Sequence, residues 1–234
     1  MQIIIPEFSR SPYPFIVLAA VAVGFFTAVL FMRHFGVAKQ TMFYTCLLTF
    51  VCTIISSLVV ATKVTPEGIA TGFSGLGAVV GMVLGLFISA LIIKDKPDCV
   101  MASFVASAPL MYGLAKLGCL FAGCCHGKEY TGPFAIVYHG EHEGSYFPAQ
   151  IIDMIAFLLT FVIAAILISK MKNKSRAIFI IIGFVIPVRF VLEYLRDYHD
   201  GSLIASGQIS VLVAGALAFI ILLIWKKILK INYR

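Results

Sequence analysis

The chain has 234 residues, 61% apolar and 12% charged, with a mean hydropathy of +1.01, a balance far outside soluble domains that marks an integral membrane protein. Seven apolar helices of about 20 residues take up roughly 140 positions, so a sizeable soluble domain is excluded and any active site lies in or against the bilayer. A net charge of +7 would suggest nucleic acid in a soluble chain; here no nucleic-acid partner is expected, and the excess records orientation in a lipid bilayer.

Met1 to Arg10 lacks the basic start and small-residue cleavage site of a secretory signal, so the first span is expected to be retained. Apolar runs between polar breaks predict spans near Tyr13–Met32, Met42–Ala61, Ile69–Ile93, Cys99–Ala122, Pro148–Ser169, Ala177–Leu195 and Ser206–Trp225. The expected fold is therefore an all-α integral membrane protein, one transmembrane domain over residues 1–234 with seven transmembrane helices. With the N-terminus outside, the inner side collects Arg33, Lys39, Lys94, Lys96, Lys170, Lys172, Lys174, Arg176, Lys226, Lys227, Lys230 and Arg234, while the outer side keeps Arg10, Lys63, Lys128 and Arg196. This asymmetry predicts an N-terminus outside, a cytoplasmic C-terminus and an extracytoplasmic loop at 123–147.

In the second to fourth spans, Cys46, Cys52 and Cys99 read as small buried hydrophobes. Gly77, Gly81 and Gly85 recur every four residues, a pattern that lets another helix approach closely and serves packing more readily than lipid contact. Lys116, Asp153, Arg189 and Glu193 fall inside spans, where an ionised side chain costs several kcal/mol and reads as functional. At 1.5 Å per residue, Lys116 and Arg189 lie about 9 Å and Asp153 about 8 Å from the outer ends of their helices, so the three share a depth and are expected to line one polar cavity. Arg189 and Glu193 are four apart and share a helix face after Pro187, which can kink the helix. A buried ion-pair network that only holds helices together stays open as the alternative.

The fourth span ends in Gly118-Cys119-Leu-Phe-Ala-Gly123-Cys124-Cys125-His126-Gly127-Lys128, a glycine-rich turn carrying three thiols and an imidazole. Non-helical backbone at membrane depth is tolerated around a cavity or inside protein. The C-x4-C-C-H spacing fits neither paired C-x2-C nor H-x3-H ligands, so no metal and no cofactor are expected, with Cys124, Cys125 and His126 the ligands if there were one. A disulfide among Cys119, Cys124 and Cys125 in an oxidising compartment, or a small-residue loop whose backbone N–H groups meet a lipid head group, are the other readings. Further along the loop, His139, Glu141, His142 and Glu143 read as a solvated polar hairpin.

Tyr112 to Lys128 resembles the signature of the bacterial prolipoprotein diacylglyceryl transferase family, G-R-x-G-N-F-x-N-G-E-x-x-G-R. Phe147-Pro-Ala-Gln150-Ile-Ile-Asp153 is similar to the family's H-P-S-Q-L-Y-E, Arg189 to Arg196 to its R-x-x-x-E-x-x-R, Ser206-Gly-Gln208-Ile-Ser to its S-x-G-Q run, and Pro6-Glu7-Phe8 to its opening. The resemblance implies a transferase of the bacterial cytoplasmic membrane that moves the diacylglyceryl group of phosphatidylglycerol to the thiol of a lipoprotein signal-peptide cysteine, releasing glycerol phosphate. It implies catalytic roles for Arg189, Lys116 and Glu193, and the residues themselves add His126 as a candidate base for the thiol and Cys124 or Cys125 as a candidate nucleophile forming a covalent intermediate where the family histidine is missing; substrate-binding roles are expected for Gly118, Cys119, Gly123, Cys125, Gln150, Asp153, Arg196 and Gln208. Lys116 stands at a family arginine, Cys119 and Cys124 at its signature asparagine and glutamate, Phe147 and Phe73 at two histidines, and no tyrosine is matched near Val17. A relative with a different lipid acceptor, and a membrane thiol/disulfide redox module built on the cysteines, are the alternatives.

Overall fold

The computed structural model describes residues 2–6, 11–65, 68–70, 75–139, 143–197, 202 and 204–232. Seven helices dominate it: α1 (Tyr13–His34), α2 (Lys39–Ala61), α3 (Gly75–Ile93), α4 (Pro97–Phe121), α5 (Ala149–Lys170), α6 (Lys174–Leu192) and α7 (Ser206–Asn232). Six are long and apolar enough to cross a membrane, and α3 contributes the shorter apolar stretch Gly77–Ile93. Large apolar side chains such as Phe15, Phe43, Ile92 and Leu159 are exposed along these helices, a surface that suits lipid and not water.

The helices are not the whole architecture. Among the described residues five short strands are interleaved with them: β1 (Ile3–Ile4), β2 (Lys63–Thr65), β3 (Gly68–Ala70), β4 (Ile136–Tyr138) and β5 (Gly144–Tyr146). The third expected span is corrected by β3, which pairs antiparallel with β2, so that the helix opens at Gly75 instead of Ile69. Hydropathy alone cannot separate a short apolar strand from a helix start. Phe73, Glu141 and His142 lie outside the described residues.

The chain divides into two compact units, Met1–Thr27 with Phe104–Arg234, and Ala28–Ser103. In the second, the glycine stripe of α3 lies against α2. A Cβ at Gly77 would meet the Ser56 carbonyl oxygen at 2.5 Å, one at Gly81 the Cys52 oxygen at 2.2 Å, and one at Gly85 the Thr49 Cα at 2.5 Å. The stripe thus serves helix packing, where small residues let backbones approach. Thr45 and Ser89 share a buried hydrogen bond between the same two helices. At one end of this unit, Asp95 accepts from Ala38 N–H and Thr41 Oγ1, while Lys96 donates to the carbonyls of Phe35 and Gly36.

In the first unit β1 pairs parallel with β4, and β4 pairs antiparallel with β5. This small sheet has its own core of Ile5, Leu120, Ile136 and Tyr138, so it is fastened to the end of α4. Tyr138 Oη donates to the Leu120 carbonyl at 2.8 Å.

Gly81→Ala should cost about 1–3 kcal/mol through overpacking, because the backbone atoms it meets cannot move aside as a flexible side chain would. Val79, 54% exposed on the same helix, is the control. Unfolding of the two alanine variants in detergent checks this, with a lower midpoint expected for the glycine change alone.

Candidate functional site

The turn after α4 ends the helix in a Schellman motif. Gly123, at φ +64°, is the left-handed residue, Gly123 N–H reaches the Leu120 carbonyl at 3.5 Å, and Cys124 N–H reaches that of Cys119 at 3.2 Å. Cys125 is also left-handed at φ +57°, uncommon for a residue with a Cβ. The double reversal brings Cys119, from the last turn of α4, beside Cys124 and Cys125, with all three Sγ atoms within 4.8 Å of one another. Hydrogen bonds from Cys119 and Cys124, with the positive charges of Lys116 and Arg196, hold the Cys125 thiol well below its ordinary range. Cys124 is pushed up by hydrogen bonds with Cys119 and Cys125 and by burial.

Side chains from distant segments hold this turn. Gln150, on the first turn of α5, donates to the Cys124 carbonyl at 3.0 Å and to Tyr138 Oη at 3.2 Å. Arg196 donates to the Cys125 carbonyl. Gly127 is the crossing point of three strands of backbone: its N–H bonds Phe147 O at 3.1 Å, it bridges Arg196, and a Cβ there would lie 2.9 Å from the Leu195 oxygen. Only glycine admits that approach.

Behind the turn lies a buried ionic cluster. Asp153 Oδ2 receives Lys116 Nζ at 3.1 Å and also Arg196 Nη2. All three are buried, Lys116 at 5%, Asp153 at 0% and Arg196 at 1% exposure. Gly113 makes the first contact possible: a Cβ there would lie 3.2 Å from the Met154 oxygen, so α4 and α5 approach closely one turn before Lys116. Arg196, which the charge count places on the outer side, is buried. Its position past the end of α6, after the 3-10 turn Glu193–Leu195, lets the long side chain fold back onto Asp153.

Arg189 pairs with Glu193 one turn on, and Glu193 is 3% exposed. The Tyr112 ring links the two groups of charges, its centroid 4.8 Å from Lys116 Nζ and 5.9 Å from Arg189 Cζ. Arg189 therefore meets Lys116 across an aromatic ring. Tyr112 was missed by sequence reasoning, although it lies four residues before Lys116 and so on its helix face. Tyr13 was missed too. It lies one turn before Val17 on α1, and a Cβ at Gly118 would touch both, at 3.1 and 3.5 Å.

The remaining candidates are placed as follows. His126 turns to Asp197, 3.7 Å from Nδ1, and packs on the Tyr146 ring at 4.0 Å between centroids, outside the thiol cluster. Gln208 is buried at the start of α7 and accepts from its own Ala205 N–H at 2.9 Å. Gln150 Oε1 and Asp153 Oδ1 are buried without a hydrogen-bond partner among the described residues. A cavity of about 440 Å³ lies elsewhere, over the β4–β5 hairpin, lined by Glu129, Tyr130, Glu143 and Tyr146 among others.

Comparison with known proteins bears on this arrangement. A family model described as "Prolipoprotein diacylglyceryl transferase" matches residues 2–226. A protein of Clostridium perfringens (strain 13 / Type A) named "Phosphatidylglycerol--prolipoprotein diacylglyceryl transferase 2" is 29% identical over 164 residues, 63% of this chain and 61% of that protein. One of Clostridium tetani (strain Massachusetts / E88), named "Phosphatidylglycerol--prolipoprotein diacylglyceryl transferase", is 28% identical over 145 residues, 58% of this chain and 56% of its own length. The matched stretch thus spans less than two thirds of either relative.

Asp153→Asn should cost about 3–5 kcal/mol, because it leaves two buried cations without their carboxylate. Lys116→Met should cost less, since Asp153 then keeps Arg196. Chemical unfolding of both variants in detergent gives the order, and equal losses would mean the cluster is more hydrated than its burial indicates.

Proposed function

The chain belongs to the prolipoprotein diacylglyceryl transferase family, and from that premise we propose that it transfers the diacylglyceryl group of phosphatidylglycerol to an acceptor thiol at the outer leaflet of a bacterial cytoplasmic membrane. The lipid is the anionic donor, and the thiol is that of a lipoprotein signal-peptide cysteine. In this reading all seven helices span the bilayer, with the N-terminus outside and the C-terminus cytoplasmic, as the distribution of Lys and Arg between loops favours.

The observation that carries the reading is the excess positive charge of the buried cluster, two cations around the single carboxylate of Asp153. A positive excess held among apolar helices favours a negative ligand beside it. A phosphodiester is such a ligand, and the reaction adds charge where the cations already sit. Sulfur attacks the glyceryl carbon, a C–S bond forms as the C–O bond to phosphate breaks, and the departing phosphate gains a second negative charge. Preorganised cations stabilise that development more than they stabilise the substrate. Lys116 supplies a point charge, whereas Arg189, oriented by Glu193, supplies a planar fork that matches two phosphate oxygens. Gln150 Oε1 and Asp153 Oδ1, buried acceptors one turn apart on α5, suit the hydroxyls of the glycerol head group. Small residues at Gly118 and Gly123 leave the turn's backbone approachable by that head group.

Arg189→Gln should lower product formation from phosphatidylglycerol on the order of a hundredfold or more, as for a lost electrostatic donor. Arg189→Lys should retain lipid binding while losing most of the rate. Unimpaired turnover by a folded Gln variant would leave Arg189 as a bundle ion pair. For the orientation, a cysteine introduced at Glu143 or at Lys227 in a Cys125→Ser background is treated with an impermeant thiol reagent, and its labelling is read against that background alone. Labelling from outside is expected at Glu143 alone, and the reverse pattern would overturn the outer-leaflet site.

A further inference from the structure

We propose that Cys119, Cys124 and Cys125 form a three-thiolate zinc site whose open fourth position takes the sulfur of the acceptor. The sequence spacing does not resemble paired zinc ligands, and it is the chain reversal at Gly123 and Cys125 that gathers the three Sγ atoms within 4.8 Å. With zinc–sulfur bonds of about 2.3 Å, two sulfurs on a tetrahedral ion lie about 3.8 Å apart. Closing the cluster onto an ion therefore takes shifts on the order of 1 Å, within reach of thiol rotamers alone. Thiolates select soft ions such as zinc, and three protein ligands with one position open are the pattern of catalytic sites, four closed ligands that of structural ones. His126 is held at Asp197 and Tyr146, outside the cluster, which leaves the fourth position to a ligand from elsewhere.

Access is one-sided in the required way: Cys119 and Cys124 are half-buried and Cys125 is exposed. The turn is also rigid, its carbonyls held by Gln150 at Cys124 and by Arg196 at Cys125, which preorganises ligands as a metal site needs. Arg196 and Lys116 stand behind it as cations that offset the negative charge of a tri-thiolate.

Such an ion answers a chemical need of the reaction. Of the candidate bases among the described residues, Asp153 is bound by two cations, Glu193 pairs with Arg189, and His126, facing Asp197, lies outside the thiol cluster. A zinc-bound thiol gives its proton to water and stays a nucleophile. The metal-held sulfur then forms the C–S bond, the C–O bond to phosphate breaks, and glycerol phosphate leaves with the electron pair. This role for the ion rests on the transferase reading; the metal site itself does not.

The test uses the full chain in detergent, reduced and stripped of metal, titrated with cobalt(II) and then zinc. One equivalent of cobalt should bind with sulfur-to-metal charge-transfer absorption and be displaced by zinc. Cys119→Ser, Cys124→Ser or Cys125→Ser should each weaken binding about tenfold or more, whereas Cys46→Ser, on α2, should not. A cysteine-containing acceptor peptide should change the cobalt spectrum, and its serine counterpart should leave it unaltered. If the serine variants do not fold, wild-type protein decides: zinc must protect Cys119, Cys124 and Cys125 from alkylation. Absence of the cobalt band, or failure of zinc to protect, overturns the site, and so does a disulfide between two of these thiols that forms in preference to metal uptake. Transfer at an unchanged rate in chelated protein removes the ion from the reaction and leaves the transferase reading intact. Metal uptake without transfer to any thiol acceptor does the opposite.

Discussion

One carboxylate among apolar helices sets the terms for the rest of the first unit. Asp153 is fully buried and contacts both Lys116 and Arg196. Desolvating these groups is expensive, and neither cation is tolerable there without the carboxylate they share. That mutual need fixes three segments at once: α4 through Lys116, α5 through Asp153 and the chain beyond α6 through Arg196. It is a constraint of position more than a source of stability, because an apolar replacement of the whole group would pack at no greater cost.

The same cluster aims the turn that carries the thiols. Arg196 spends one nitrogen on Asp153 and another on the Cys125 carbonyl. Gln150, three residues before Asp153, holds the Cys124 carbonyl, so the two residues that anchor the turn and the charge lie on one face of α5. Around them the packing is governed by absent side chains. A Cβ at Gly127 would lie 2.7 Å from the Phe147 oxygen, too close to fit, and one at Gly113 would lie 3.2 Å from the Met154 oxygen, a tight contact. The charge, the turn and the close approaches are one arrangement, and the proposed chemistry draws on all of it: cations for a departing phosphate, buried acceptors for hydroxyls, and gathered sulfurs for an incoming thiol.

Composition and period determined much of this protein. A mean hydropathy of +1.01 and runs of about 20 apolar residues dictate membrane helices wherever the chain folds, and six helices of that length and character are present. The glycine repeat on α3 announced a close helix contact, since its four-residue period puts all three glycines on one face. Lys116, Asp153 and Arg189 were legible as charges that needed partners, since hydrocarbon gives an ion none.

Which partner each charge takes was decided by the tertiary structure. Rise per residue gives depth along a helix axis but no azimuth, so it set Lys116, Asp153 and Arg189 at one level, while the folded chain gives Asp153 to Lys116 and Arg196 and brings Arg189 to Lys116 across Tyr112. The start of α3 and the β1–β4–β5 sheet were hidden for a related reason: strand pairing joins residues far apart in the chain, and a run of two or three residues carries no period to read. The thiols make the same point most sharply. Their spacing matches no paired ligand pattern, and their proximity depends on two left-handed residues, one of them a cysteine, in a turn held by side chains from α5 and from beyond α6. Sequence determines which groups must be satisfied; the folded chain decides which neighbours satisfy them, because those contacts are made across distances that no local pattern encodes.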